Sequence, residues 1–249
     1  EVKLSLMRQG IDDLVDVTVV RDAIPIESIE SYFMVTEDIG FIRLSQFART
    51  SYIELLRALI DLRKQGMRKL IFDLRDNSGG YLDQAIMIAN EFLPQGNLIV
   101  YTEDRNGHQM KEYSDGEGSS TDLELVILID EGSASSSEIL AGAVQDNDRG
   151  TIVGRRSFGK GLVQQPFTFS DGSVVRLTIA RYYTPSGRCI QAVNYASRDE
   201  DGSVRSVPDS LISEFKTAGG RKVYDGGGVM PDVVLEPQYV STFAYVVYG

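Results

Sequence analysis

The 249-residue chain reads as an α/β protein, on three features. Two short runs, KLIFDLR at 69–75 and LELVILID at 123–130, are almost continuously apolar, as strands covered on both faces are. Each is followed by a turn of small residues and then by a helical pattern. Strands and helices alternate through the middle of the chain, the order that packs helices against a largely parallel sheet.

The elements follow in order. VKLSL (2–6) and DVTVVR (16–21) alternate as strands with a turn near Gly10, and IGFIRLSQF (39–47) is a third strand. SYIELLRALIDLRKQG (51–66) sets Leu55, Leu56, Leu59 and Leu62 on one helical stripe closed by Gly66. After the strand at 69–75, LDQAIMIANEFL (82–93) is helical up to Pro94. NLIVYTEDR (97–105) is a strand, and GHQMKEYSDGEGSSTD reads as a polar loop before the strand at 123–130. Residues 131–147 are a small-residue turn opening into a helix, and 150–154 a short strand. Residues 162–184 form a hairpin turning at Asp171-Gly172. The stretch 194–210 is polar and expected to be mobile, and 226–237 is a glycine-rich turn entering an extended segment.

Composition excludes several classes. Apolar content of 42% and charged content of 24% are ordinary for a globular protein. A formal charge of −11 argues against nucleic acid or an anionic membrane as the main partner. No apolar run approaches the roughly 20 residues of a membrane span. The first residue is not Met, so a processed or truncated piece of a longer precursor is expected. Cys189 is the sole cysteine, which rules out an internal disulfide and is compatible with a bacterial periplasmic protein. His108 is the sole histidine, which excludes any mechanism needing two.

GRRSFGKGLVQQ (154–165) has the glycine and lysine spacing of a P-loop. Gly161 stands where the magnesium-binding Ser or Thr belongs, and strand formers with Pro166 follow instead of a helix, so the nucleotide reading fails. A second segment, IDEGSASSSEI, places serines on a turn between a buried strand and a helix. There a hydroxyl sits at the positive end of the helix dipole and suits a nucleophile. The same serines also suit a helix N-cap. A serine nucleophile needs a base. His108 lies in a charged loop, whereas Lys160 is the only charge in SFGKGLVQQPF and is flanked by Gly159 and Gly161, which let the backbone turn freely. DLRDNSGG (73–80) ends a buried strand in two glycines whose N–H groups could hold an oxyanion, or which simply make a turn.

FDLRDNSGG, DEGSASSSEILAGAVQDNDRG, VGRRSFGKGLVQ and YYTPSGRCIQ, in this order, resemble the carboxyl-terminal processing (tail-specific) proteases, serine peptidases with a Ser–Lys dyad. The resemblance covers about residues 24 to 237 and implies a ClpP/crotonase-like ββα spiral core. It also implies catalytic Ser135 and Lys160, support from Gln164, and an oxyanion hole from the amides of Gly79 or Gly80 and of Ser136. Ser136 stands where the family often has alanine. Family members usually carry a PDZ domain before the core, so residues 1–22 are expected to be the last two strands of one. Residues 23–249 are then the core, with 194–225 a mobile insertion.

The implied chemistry has neutral Lys160 take the Ser135 proton as the hydroxyl attacks a peptide carbonyl, then return it to the leaving amine. That requires lowering the lysine pKa from about 10.4 to about 7, which costs the charged form roughly 4–5 kcal/mol. The resemblance implies protein or peptide substrates with apolar C-termini, added as a strand beside the 162–184 hairpin. It admits a homo-oligomer and implies a bacterial periplasmic or cell-envelope location. No metal or cofactor is expected, since Asp146 and Asp148 lack the rest of a calcium loop. The alternatives are a non-catalytic module binding peptides or hydrophobic ligands on the same fold, and a crotonase-like acyl-CoA enzyme, for which only Glu138 is suitably placed.

Overall fold

The computed structural model describes residues 1–11, 13–22, 27–198, 204–206 and 212–236. In chain order the elements are β1 (Val2–Leu6), β2 (Val15–Val19), β3 (Ile29–Met34), β4 (Ile39–Leu44), α1 (Ser51–Lys64), β5 (Lys69–Asp73), α2 (Leu82–Phe92), β6 (Leu98–Asp104), β7 (Gln109–Tyr113), β8 (Glu124–Ile129), α3 (Ser136–Asp146) and β9 (Thr151–Gly154). They continue with β10 (Leu162–Thr168), β11 (Val174–Tyr183), β12 (Val193–Arg198), β13 (Val204–Ser206), β14 (Glu214–Lys216), β15 (Lys222–Tyr224) and β16 (Val233–Val234).

The main sheet has the order β16-β9-β8-β5-β4-β3 and is parallel except for the β3–β4 hairpin. Its register lines up Ile42, Phe72, Ile127 and Ile152 across four neighbouring strands, all fully buried. Each such side chain contributes about 1.5–3 kcal/mol by leaving water. The periodicity of α1 buries Leu55, Ala58, Leu59 and Leu62, while α2 buries Ala85, Ile88, Ala89 and Phe92. Every residue of α3 is buried, which explains its small and unbranched face, AGA at 141–143. Its C-terminal end holds a fully buried ion pair, Arg188 Nη2 to Asp146 Oδ1 at 2.8 Å, with Gln145 Oε1 accepting from the same nitrogen.

A second sheet, β10-β11-β6-β7, is antiparallel throughout. The fold is therefore mixed α/β, as the alternation predicts. Several strands were not anticipated: β3, the paired strands β12–β13 and β14–β15, and β7, which lies inside the stretch read as a polar loop. QMKEY is exposed along its whole length, so β7 is an edge strand with no apolar alternation to announce it. Within 212–225, β14 and β15 form a hairpin, tied back to the core by Thr217 Oγ1 donating to Asp148 Oδ1 at 2.9 Å. The rest of the 194–225 expectation falls largely on 199–203 and 207–211, outside the described residues. β1 and β2 pair only with each other in a two-stranded sheet, exposed at every position.

Candidate active site

Strands β5, β8 and β9 are adjacent and parallel, so the loops that leave their C-terminal ends converge on one edge of the sheet. In open α/β sheets that edge is where ligands bind. The loop after β5 is residues 74–81, the turn after β8 is 130–135, and the loop after β9 carries Lys160. Strand order alone puts the serine turn in the middle.

The first two loops are stitched together by buried polar groups. Asp130 Oδ1 accepts from the N–H of Asp76 at 2.9 Å and of Gly132 at 3.0 Å. Asn77 is fully buried; its Nδ2 donates to Leu44 O at 2.8 Å, and its carbonyl accepts from Ala134 N–H at 2.9 Å and Ser137 Oγ at 2.8 Å. Ser133 Oγ donates to Leu74 O at 2.7 Å and Ser136 Oγ to Gly80 O at 3.1 Å. Three of the four serines in the turn thus hold carbonyls. Ser135 is the one whose hydroxyl donates to no carbonyl among the described residues.

Ser135 also has strained backbone, with φ 55° and ψ −112°. A non-glycine residue in such a region costs on the order of 1–3 kcal/mol and persists only when its surroundings over-determine it. Strand–turn–helix corners that present a nucleophile store strain in this way.

Of the two glycines expected to donate to an oxyanion, Gly79 gives its N–H to Asn77 Oδ1 at 2.9 Å. The Gly80 N–H has no partner among the described residues, because the bridge to Phe47 uses Gly79 O and the Tyr81 N–H instead. Both positions need glycine. A Cβ on Gly79, at φ 97°, would lie 2.8 Å from Ser135 Cβ and 2.9 Å from Ser136 N, and one on Gly80 would overlap Phe47 O. The Ser136 N–H is the first of α3 and has no partner within the helix.

The lysine loop is tied to the turn by the Phe158 N–H donating to Ser133 O at 3.0 Å, and two side chains reach both members of the expected dyad. Glu138 is fully buried on the first turn of α3. Its Oε2 accepts from the N–H groups of Ser135 at 2.8 Å and Lys160 at 2.9 Å. Its Oε1 accepts from Ser157 Oγ at 2.5 Å and Gly159 N–H at 2.7 Å. Burial pushes the Glu138 carboxyl above the ordinary range, against the pull of these four donors. The hydroxyl of Tyr182, also buried, donates to the carbonyls of Lys160 and Ser135, the latter at 3.3 Å. Burial raises its pKa well above the usual phenol value, so it stays a donor.

Ser135, Ser136, Gly80, Lys160 and Gln164 line one cleft of about 440 Å³, with Leu82, Ile139, Leu162, Val163 and Pro166 as its apolar wall. Lys160 is half-buried there. Gln164 faces the cleft from β10, just past a bulge at Val163/Gln164. Sequence reasoning singled out Glu138 as the residue placed for a crotonase-like enzyme and missed its clamp, although Ser-x-x-Glu before an apolar run is the pattern of a capping box. Tyr182 and Asn77 gave no signal, since their partners lie tens of residues away.

These features define a class: an α/β protein with a serine on a strained strand–turn–helix corner, a lysine lining the same cleft, and, beside the serine, backbone N–H groups of Gly80 and Ser136 that have no partner among the described residues. Residues 38–197 match Peptidase family S41, and the chain belongs to that family. It is 42% identical over 188 residues to a carboxyl-terminal-processing protease of Synechocystis sp., covering 74% of this chain and 44% of that one. It is 37% identical over 190 residues to the carboxy-terminal processing protease CtpA of Bacillus subtilis, covering 76% and 40%. Among solved structures, a photosystem II D1 C-terminal processing protease superposes with a TM-score of 0.65 at 28% identity, covering 91% of this chain and 53% of that one. The chain spans about half the length of the curated relatives it matches.

Proposed function

We propose that this chain is the catalytic core of a serine endopeptidase that cleaves proteins near their C-termini. One observation carries the reading: a single carboxylate oxygen, Glu138 Oε2, accepts from the backbone N–H of both Ser135 and Lys160, fixing the two loops at the mouth of one cleft. Ser135 is the nucleophile and Lys160 its base, with Gln164 beside them. The N–H groups of Gly80 and Ser136 receive the oxyanion, where low dielectric makes each donor worth on the order of 10²–10³ in rate. Lysinium protonates the leaving amine, and water deacylates the enzyme by the reverse path.

The apolar wall suits apolar side chains near the cut bond. β10 is the free edge of its sheet and leads out of the cleft, so a substrate can add to it as a further strand. The core is read as a ClpP/crotonase-like spiral and β1–β2 as strands of a PDZ domain; their antiparallel pairing in a sheet separate from the main one supports that reading. A periplasmic or cell-envelope site is proposed from the family resemblance and the single cysteine.

The test is covalent labelling with a serine-directed phosphonate, followed by mass spectrometry of products from a peptide with an apolar C-terminus. Label on Ser135 and cleavage that both vanish in Ser135→Ala, with cleavage lost in Lys160→Ala, are expected. Wild-type cleavage by Lys160→Ala would remove the dyad.

A further inference from the structure

The cleft that holds Ser135 and Lys160 has a second cation, Arg176, and no Asp or Glu among its lining residues. This is notable in a chain with a formal charge of −11. The Arg176 side chain makes no ion pair or hydrogen bond among the described residues, whereas Arg43, Arg63, Arg75, Arg155, Arg188 and Arg221 all pair with carboxylates.

Its placement follows from strand register. In the β10–β11 ribbon Arg176 lies opposite Pro166, and Thr178 opposite Gln164. Opposed residues share a face, so Gln164, Pro166 and Arg176 point together, and all three line the cleft. The other face, with Phe167, Val175, Leu177 and Ile179, is an apolar stripe. The guanidinium therefore belongs to the side of the ribbon that meets substrate. Arg176 and Lys160 are the two cations among the described residues of the lining, and only Lys160 is assigned a part in the chemistry.

We propose that Arg176 is a carboxylate-binding subsite that fixes where the substrate is cut. This rests on the peptidase reading above. From Leu162 to Pro166 the strand advances four residues, roughly 13 Å at the usual rise. An extended peptide beside β10 with its scissile bond at Ser135 then brings a group about three or four residues away to Arg176. The partner is a peptide carboxylate, either the α-carboxylate that ends the chain or an Asp or Glu side chain at that distance. A guanidinium grips either through paired N–H donors. The subsite acts on binding and positioning and makes no bond.

The test measures peptide affinity by fluorescence anisotropy on Ser135→Ala, which cannot turn substrate over, with and without Arg176→Gln. Three labelled peptides are compared: an apolar C-terminus with free carboxylate, its C-terminal amide, and the amide with one Glu placed two to four residues from the end. With Arg176 present, the free acid is expected to bind about tenfold tighter than the amide, the scale of a charge-assisted hydrogen bond. Arg176→Gln should bring the two together. Recovery of affinity by the Glu-containing amide, lost in Arg176→Gln, would assign the carboxylate to a side chain and keep the subsite. Equal affinities with Arg176 present, no binding of any peptide, or a preference that survives Arg176→Gln would overturn it. Phosphonate labelling of the wild-type chain separates the two readings. Label on Ser135 with carboxylate-blind binding defeats the subsite alone, and absence of label defeats the peptidase.

Discussion

The serine turn and the lysine loop flank the same cleft but are secured in opposite ways. The turn is bound to the glycine loop by many small contacts: Asp130, Asn77, Ser133, Ser136 and Ser137 each hold a backbone group of the neighbouring loop or strand end. The lysine loop reaches the turn through Glu138 and Tyr182, through the Phe158 N–H donating to Ser133 O at 3.0 Å, and through Arg155, whose Nε donates to the Glu131 carboxylate at 2.7 Å. Ser135 and the N–H groups of Gly80 and Ser136 thus form one unit with distributed support, and Lys160 itself is registered against Ser135 by one carboxylate and one phenol. Loss of any single stitch should loosen the first region partially, whereas loss of Glu138 should uncouple the Ser135 and Lys160 backbones while Phe158 and Arg155 still hold their loop to the turn.

The largest effect is expected at Glu138. Glu138→Ala strands the N–H groups of Ser135, Gly159 and Lys160 and the Ser157 hydroxyl, at about 1–3 kcal/mol for each one left buried and unsatisfied. A fall of roughly ten degrees or more in Tm is expected, with a drop of at least about a hundredfold in kcat/KM. Glu138→Gln adds a pH signature. Burial holds the folded-state pKa above the unfolded value, so ionisation costs the native state. The stability of wild type relative to Glu138→Gln is therefore greatest below about pH 4.5 and declines as pH rises through the folded-state pKa. Denaturant melts of the two proteins over a pH series check the sign; a difference that grows with pH would mean the carboxylate is not disfavoured by burial.

Asn77→Ala comes next. It removes the bond to Leu44 O and the acceptor of the Gly79 N–H while leaving the Asn77 backbone contacts in place. A loss of roughly 2 kcal/mol is expected, with kcat falling more than KM rises as the Gly80 donor loses its aim. Equal damage from Asn77→Ala and Glu138→Ala would erase the contrast between distributed and concentrated support.

The smallest effect is a gain. Ser135→Gly removes the side chain that makes φ 55° costly, so it should melt above Ser135→Ala, by up to about 1 kcal/mol after the entropy of the unfolded glycine is set against the relief. Identical stability of the two inactive proteins would mean that little strain is held at the corner.

Much of the architecture was legible locally. The apolar runs of β5 and β8, the leucine stripe of α1 and the hairpin turn at Asp171-Gly172 depend on near neighbours, and periodicity reports near neighbours. β7 was not legible, because an exposed edge strand is defined by the partner it pairs with. At the site, Ser135 and Lys160 stood out through the small residues around them. The choice between Gly79 and Gly80 did not, since it turns on whether Asn77 Oδ1 or open space faces each N–H.

The sequence by itself determined which residues have the chemistry for acyl transfer, and it set them at the ends of strands whose apolar character forces them into one sheet. Tertiary structure alone decided that those strands lie side by side in the order β9-β8-β5. It also decided that one buried carboxylate accepts from the N–H groups of both Ser135 and Lys160, and that Arg176 lines the cleft. The physical reason is range: propensity and hydrophobic period act over a few residues. Strand pairing and buried hydrogen bonds join groups far apart in the chain, and their energy exists only once the chain has brought them together.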